Sequence, residues 1–114
     1  MKPSLHLTFV FLIIVLPRIA AASVGISEVA WMGSSASANH EWIEIYNSGT
    51  DSVSVDGWTI TDSNTLLITL AGSVSAGTYA VLERTSDESA PGSAFLIYTG
   101  ALVNTGTTIT LRDQ

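Results

Sequence analysis

Apolar and polar positions alternate through most of the chain after residue 23, and this pattern predicts β-strands. In residues 24–31 and 41–47, aromatic and β-branched side chains alternate with acids on a two-residue period. That is the period of a strand with one buried face, not of a helix. Ile43 and Ile45 are expected to face the core. Further short segments of this kind lie between turn-forming residues at 53–55, 58–62, 66–70, 78–84, 95–98 and 107–112.

The loop between the first two segments shapes the expected topology. Residues 33–40 (GSSASANH) are small and polar, and they are too many for a tight hairpin. The second strand is therefore expected to cross to the opposite sheet. Strict alternation along the first strand places Ile26, Glu28 and Ala30 on one face, with Val29 and Trp31 on the other.

The first 22 residues have the pattern of a signal peptide. Lys2 supplies a basic start, residues 7–16 are almost wholly apolar, and Ala20 to Ala22 are the small residues that a signal peptidase reads. Cleavage after Ala22 is expected. The alternative is a retained membrane anchor, but about ten apolar residues are half of what a spanning helix needs. The sequence favours a secreted or cell-surface protein without a transmembrane anchor.

Charge and cysteine content exclude several classes of function. Without residues 1–22, two arginines (Arg84 and Arg112) stand against ten acidic residues. Such a surface disfavours nucleic acid and anionic membranes, because both require basic residues to neutralise phosphates. The chain has no cysteine, so an apolar core must hold the domain without disulfides. Low charge and abundant β-formers favour an all-β fold of one domain, spanning residues 24–114.

Five segments, in order and spacing, resemble the lamin tail domain family, specifically its secreted bacterial members. They are residues 26–33 (ISEVAWMG), 41–47 (EWIEIYN), 53–62 (VSVDGWTITD), 77–82 (GTYAVL) and 102–106 (LVNTG). The resemblance implies an immunoglobulin-like β-sandwich, which agrees with the seven or eight strands at about ten-residue intervals. Because members usually continue with a further turn and strand after the equivalent of Asp113, the chain is expected to be a fragment that lacks its last strand or strands.

Three glutamates are the candidate binding residues: Glu28, Glu41 and Glu44. Paired carboxylates perform acid–base chemistry or bind divalent cations. The favoured interpretation is that these glutamates accept hydrogen bonds and organise the 33–40 loop. Glu44 lies between Trp42 and Tyr46, so it needs either a hydrogen-bond donor or a partner.

Metal and nucleophile chemistry have weaker support. Asp51, Asp56 and Asp62 supply oxygen ligands for calcium, but their spacing matches no known calcium-loop signature. His40 is the only histidine after residue 22, and no G-x-S-x-G elbow accompanies it; it is expected to be a loop residue. No metal, cofactor or catalytic residue is predicted.

The aromatic residues admit two interpretations. Trp31, Trp42, Trp58, Tyr46, Tyr79 and Tyr98 either fill the space between the sheets or form an exposed platform for a glycan or a peptide. Core packing is favoured, with Trp58 as the strongest core candidate.

The function predicted from these features is a non-catalytic, secreted or cell-surface binding or adhesion module that contacts a protein or a surface glycan. Attachment to further domains is expected. The alternative is an accessory domain of a larger exported hydrolase, a nuclease or a phosphatase, whose catalytic part lies outside the chain. A fold as widely used as this one does not separate the two.

Overall fold

The computed structural model describes Met1 and residues 23–114. The predicted signal peptide therefore lies, apart from Met1, outside the described residues. The described part contains nine strands and no helix. They are β1 (Val24–Ala30), β2 (Trp42–Asn47), β3 (Val53–Ser54), β4 (Thr59–Thr61), β5 (Leu67–Thr69), β6 (Ser73–Val74), β7 (Tyr79–Arg84), β8 (Leu96–Tyr98) and β9 (Thr110–Arg112).

The strands form three sheets. The largest has the order β1-β2-β7-β8, a second pairs β3 with β6, and a third has the order β5-β4-β9. All pairings are antiparallel except that of β7 with β8, which is parallel. The four-stranded and three-stranded sheets contribute apolar side chains to one core, as the two layers of an immunoglobulin-like β-sandwich do. The predicted fold class is confirmed.

The expected crossing of the second strand to the opposite sheet is wrong. β1 and β2 are antiparallel neighbours, with Val24 opposite Asn47 and Ala30 opposite Trp42. The long loop adds its own internal hydrogen bonds, such as Ser34 N to Ser37 O at 2.8 Å. Loop length therefore did not decide the pairing, because the extra residues fold back on themselves.

The expected faces of β1 are also wrong, because the strand contains a β-bulge. Ile26 lies opposite Ile45, but Glu28 lies opposite Glu44, so Ser27 is an extra residue on β1. A bulge shifts the alternation by one residue. As a result Ile26 packs against the core with Val29, and not on the face of Glu28.

The core confirms the assignment of β2. Ile43 and Ile45 are fully buried, together with Leu82 from β7 and Ile60 from β4. Burying a side chain of this size contributes about 1.5–3 kcal/mol. Further buried valines and leucines come from β6 (Val74) and from the connecting segments: Val55, Leu66, Leu70 and Leu102.

Most of the aromatic side chains do not fill the core, in contrast to the expectation. Only Tyr98 is buried among the six, and Trp58 is a half-buried residue at its margin. Trp31 and Tyr79 are 53% and 61% exposed. Branched aliphatic residues provide most of the core instead.

Candidate functional site

The face of the four-stranded sheet that points away from the core carries three of these aromatic residues, the exposed Tyr79 and the half-buried Trp42 and Tyr46. Cross-strand register sets the rows of this face. Gly25, Tyr46 and Tyr79 form one row, Glu28, Glu44 and Val81 the next, and Ala30, Trp42 and Glu83 the third. We call this surface the aromatic–acidic face, defined by Gly25, Ser27, Glu28, Trp42, Glu44, Tyr46, Tyr79 and Val81.

Two tyrosines stack at one end of the aromatic–acidic face. The rings of Tyr46 and Tyr79 have centroids 4.4 Å apart and an interplanar angle of 27°. Stacked rings of this kind stabilise a cross-strand pair by about 0.2–1 kcal/mol. On the other side of Tyr46 the register partner is Gly25, and a Cβ atom placed there would meet no atom within 4 Å. The Tyr46 ring therefore stands beside open space.

Two of the three predicted glutamates meet in the middle of this face. Glu28 and Glu44 are direct cross-strand partners. The Ser27 hydroxyl donates to Glu44 Oε1 at 2.7 Å and also contacts the Glu44 carbonyl oxygen at 3.2 Å. The bulge brings Ser27 to this position, so it supplies the donor that Glu44 was expected to need.

Glu41, the third predicted glutamate, lies elsewhere and is buried. Its Oε2 accepts hydrogen bonds from Arg84 Nη1 at 3.0 Å and from the Leu102 amide at 3.1 Å. Arg84 Nη1 also lies 3.3 Å from the carbonyl oxygen of Ala38. The Glu41 carboxylate thereby joins β7 to the segment before β9, and it is linked to the 33–40 loop only through Arg84. It has a structural role.

Tyr98 lies beside this ion pair. Burial, together with the negative charge of Glu41, raises the pKa of its phenol, while Arg84 acts in the opposite direction. The hydroxyl group is buried and has no hydrogen-bond partner among the residues the structure describes. The phenol is therefore held in its neutral form.

The other residues considered for metal binding or catalysis do not lie together in the structure. Ser34 Oγ lies 2.8 Å from His40 Nδ1, but it also accepts hydrogen bonds from the amides of Ala36 and Ser37, as a loop-organising hydroxyl does. Asp56 accepts from the Gly72 amide at 2.7 Å, and this bond, with a second from Ser54, lowers the pKa of the carboxyl group. Among the described residues, no three acidic or histidine side chains are grouped as a metal site requires.

A cleft of about 570 Å³ opens between the end of β1 and the segment before β9. Val29, Trp31, Leu102, Val103 and Ile109 provide most of its apolar lining. Trp31 is more than half exposed here. The cleft is a second apolar surface, separate from the aromatic–acidic face.

The family model described as Lamin Tail Domain matches residues 17–114, which is most of the chain. The chain belongs to the lamin tail domain family. No curated protein matches this lamin tail domain. Within residues 23–114, none of the structure forms a helix long and apolar enough to cross a membrane.

Two buried polar residues of this lamin tail domain were missed in the sequence. Asn47 is fully buried and donates from Nδ2 to the carbonyl oxygens of Asp51 and Val74. Glu83 is 1% exposed, and its Oε2 accepts from the amides of Ser89 and Ala90. For Glu83 a signal existed: a long polar stretch follows it, and the amides of such a loop need acceptors.

Proposed function

We propose that this lamin tail domain is a non-catalytic binding module, exported from the cell or displayed at its surface, and that the aromatic–acidic face contacts the partner. The observation that carries the proposal is the 61% exposure of Tyr79, stacked on Tyr46 next to a row of carboxylates. Tyrosine is favoured at binding surfaces because its large rigid ring costs little conformational entropy to immobilise. The partner is a protein or a surface glycan.

Export rests on the sequence of the first 22 residues. A basic start, an apolar stretch of about ten residues and three small residues before Ser23 are the features of a secretory signal. Expression of the full chain in an exporting cell is expected to place a product beginning at Ser23 outside the cytoplasm. Intact-mass measurement and N-terminal sequencing check this, and a product that keeps Met1 inside the cell contradicts it.

The binding role is tested on arrays of peptides and glycans. Protein purified from expression of the full chain is compared with Tyr79→Ser and with Leu67→Ser. Leu67 is a matched control, because it is 62% exposed and lies on β5 in the other sheet. A probe that loses binding with Tyr79→Ser alone supports the proposal. Absence of any bound probe contradicts it, as does equal loss with both variants, which indicates non-specific adhesion.

A further inference from the structure

We propose that the aromatic–acidic face binds a polypeptide segment bearing lysine or arginine. One cationic group sits over Gly25, between the ring of Tyr46 and the carboxylates of Glu28 and Glu44. This inference rests on the proposed binding function and specifies the chemistry of the partner.

The carboxylates of this face lack a compensating charge within residues 23–114. Glu28 and Glu44 are directly opposite each other, and like charges in that relation are destabilising. Of the two arginines in this part of the chain, Arg84 is bound to Glu41. Arg112 lies on β9 and borders a cleft together with Gly25, but among the described residues it forms no ion pair with Glu28 or Glu44. A cation from a partner relieves the repulsion between Glu28 and Glu44. The two negative charges on the unbound face therefore favour binding.

The position of one of the two carboxylates, that of Glu44, is fixed before a partner arrives. The Ser27 hydroxyl holds Glu44 Oε1 at 2.7 Å, while Glu28 is exposed on the adjoining strand. Since Glu28 and Glu44 are register partners, the two acids are neighbours on the outer face of the sheet. An acceptor already held in place loses less side-chain entropy on binding than a mobile one.

Gly25 provides the seat for the cationic group. Tyr79 on β7 stacks on the Tyr46 ring, and the register partner of Tyr46 on β1 is Gly25, where a Cβ would meet nothing within 4 Å. A lysine or arginine head group within about 6 Å of a ring centroid gains a cation–π attraction. Here the same cation also reaches the carboxylates of the next row.

The apolar members of the face indicate a side chain rather than a small free cation. Tyr79, Val81 and Trp42 border the carboxylates, and they offer contact to the methylene stem of a lysine or arginine. The acidic character of residues 23–114 attracts basic polypeptides over long range and repels phosphate-bearing partners.

The test is a titration of fluorescently labelled decalysine with the protein at about 0.15 M salt, where charges more than about 8 Å apart are largely screened. The same decamer with acetylated side chains is the uncharged probe. Glu28→Gln combined with Glu44→Gln is expected to weaken decalysine binding about five- to tenfold, on the scale of two exposed ion pairs. Asp51→Asn combined with Glu88→Gln removes the same charge from two exposed loop positions that are not among the residues defining the face, and it is expected to change binding less than twofold.

A second variant, Gly25→Thr, tests whether a side chain at position 25 blocks the cation while the protein stays folded. A Cβ at this position meets no atom within 4 Å, and threonine suits a strand, so the melting temperature is expected to be kept or raised. Binding of decalysine is expected to fall about two- to fivefold, because the cation no longer reaches Tyr46.

Each remaining outcome overturns the inference. Equal losses with the two acid pairs indicate attraction to net charge alone, and unchanged binding by Gly25→Thr removes the seat. If decalysine does not bind, or the acetylated decamer binds equally well, the partner is not cationic. The proposed binding function still stands in that case if a neutral peptide or glycan on the arrays loses binding with Tyr79→Ser.

Discussion

Arg84 donates through Nη1 to Glu41 Oε2 at 3.0 Å, and the two side chains are 20% and 3% exposed. The Leu102 amide donates to the same oxygen. One carboxylate therefore holds together an ion pair and a backbone amide from a segment 61 residues away. Contacts between such distant segments close the end of the sandwich.

Glu41→Gln is expected to lower the free energy of unfolding by about 2–3 kcal/mol, because an amide replaces the charge that Arg84 faces. Urea denaturation followed by tryptophan fluorescence measures this loss. Glu88→Gln, on the exposed crossover loop, is the control and should stay within about 0.5 kcal/mol of the parent protein. Equal stability of the two variants is inconsistent with a structural ion pair.

Asn47→Asp is expected to cost about 3 kcal/mol. The substitution replaces an amide that donates to two carbonyl oxygens, at 2.8 and 2.9 Å, with a buried carboxylate facing the same oxygens. For a domain of this size the melting temperature falls by about 4–8 °C per kcal/mol. Asn64→Asp makes the same change at an exposed turn position and should leave the melting temperature within a few degrees; a comparable fall there would assign the effect to charge in general.

Glu28→Gln is expected to stabilise the free protein by about 0.2–1 kcal/mol, since it removes repulsion from Glu44 across the two strands. The gain should appear in thermal unfolding at low salt and shrink at 1 M NaCl, where screening is strong. Asp51→Asn changes net charge equally on an exposed turn. A stabilisation of the same size there would mean that Glu28 and Glu44 do not interact specifically.

Tyr98→Phe is expected to leave stability unchanged or raise it by up to about 1 kcal/mol at pH 7, because the buried hydroxyl has no hydrogen-bond partner in the described part of the chain. The dependence of the unfolding free energy on pH in the alkaline range gives the sharper test. The pKa of Tyr98 is raised in the folded state, so the stability that its neutral form contributes is complete below the unfolded pKa of about 10 and is lost as pH rises above it.

Unfolding curves of the parent protein and Tyr98→Phe between pH 8 and 11 measure this difference. The parent protein is expected to lose more stability across that range than the variant does. Tyr79→Phe serves as the control, because Tyr79 is exposed. Parallel loss in the parent and Tyr98→Phe would show that ionisation of Tyr98 is not coupled to folding.

The sequence predicted the fold because local patterns determine it. Alternation in β2 identified Ile43 and Ile45 as core residues, and both are fully buried. Alternation gave the wrong faces in β1, because a bulge depends on how two strands pair. The sequence of one strand alone does not show it. Ile26 and Glu28 were therefore predicted to lie on the same face of β1, whereas they lie on opposite faces in the structure.

The candidate site was predictable only in its parts. Glu28, Glu41 and Glu44 were singled out by residue type, but which two meet depends on pairing across β1 and β2. Glu41 shares its face with Ile43, so it turns inward and meets Arg84, a residue 43 positions later. The stacking of Tyr46 on Tyr79 has the same origin, since only the register of β2 against β7 brings the rings together.

The bulge at Ser27 also affects how the protein behaves when concentrated. β1 is an outer strand of its sheet, and the unpaired amides and carbonyls of such a strand are a template on which another copy can add. The extra residue interrupts their regular spacing midway along the strand, and the exposed charge of Glu28 follows at once. Polymerisation through this edge is thereby opposed, so an outward-facing aromatic surface is compatible with a dispersed protein.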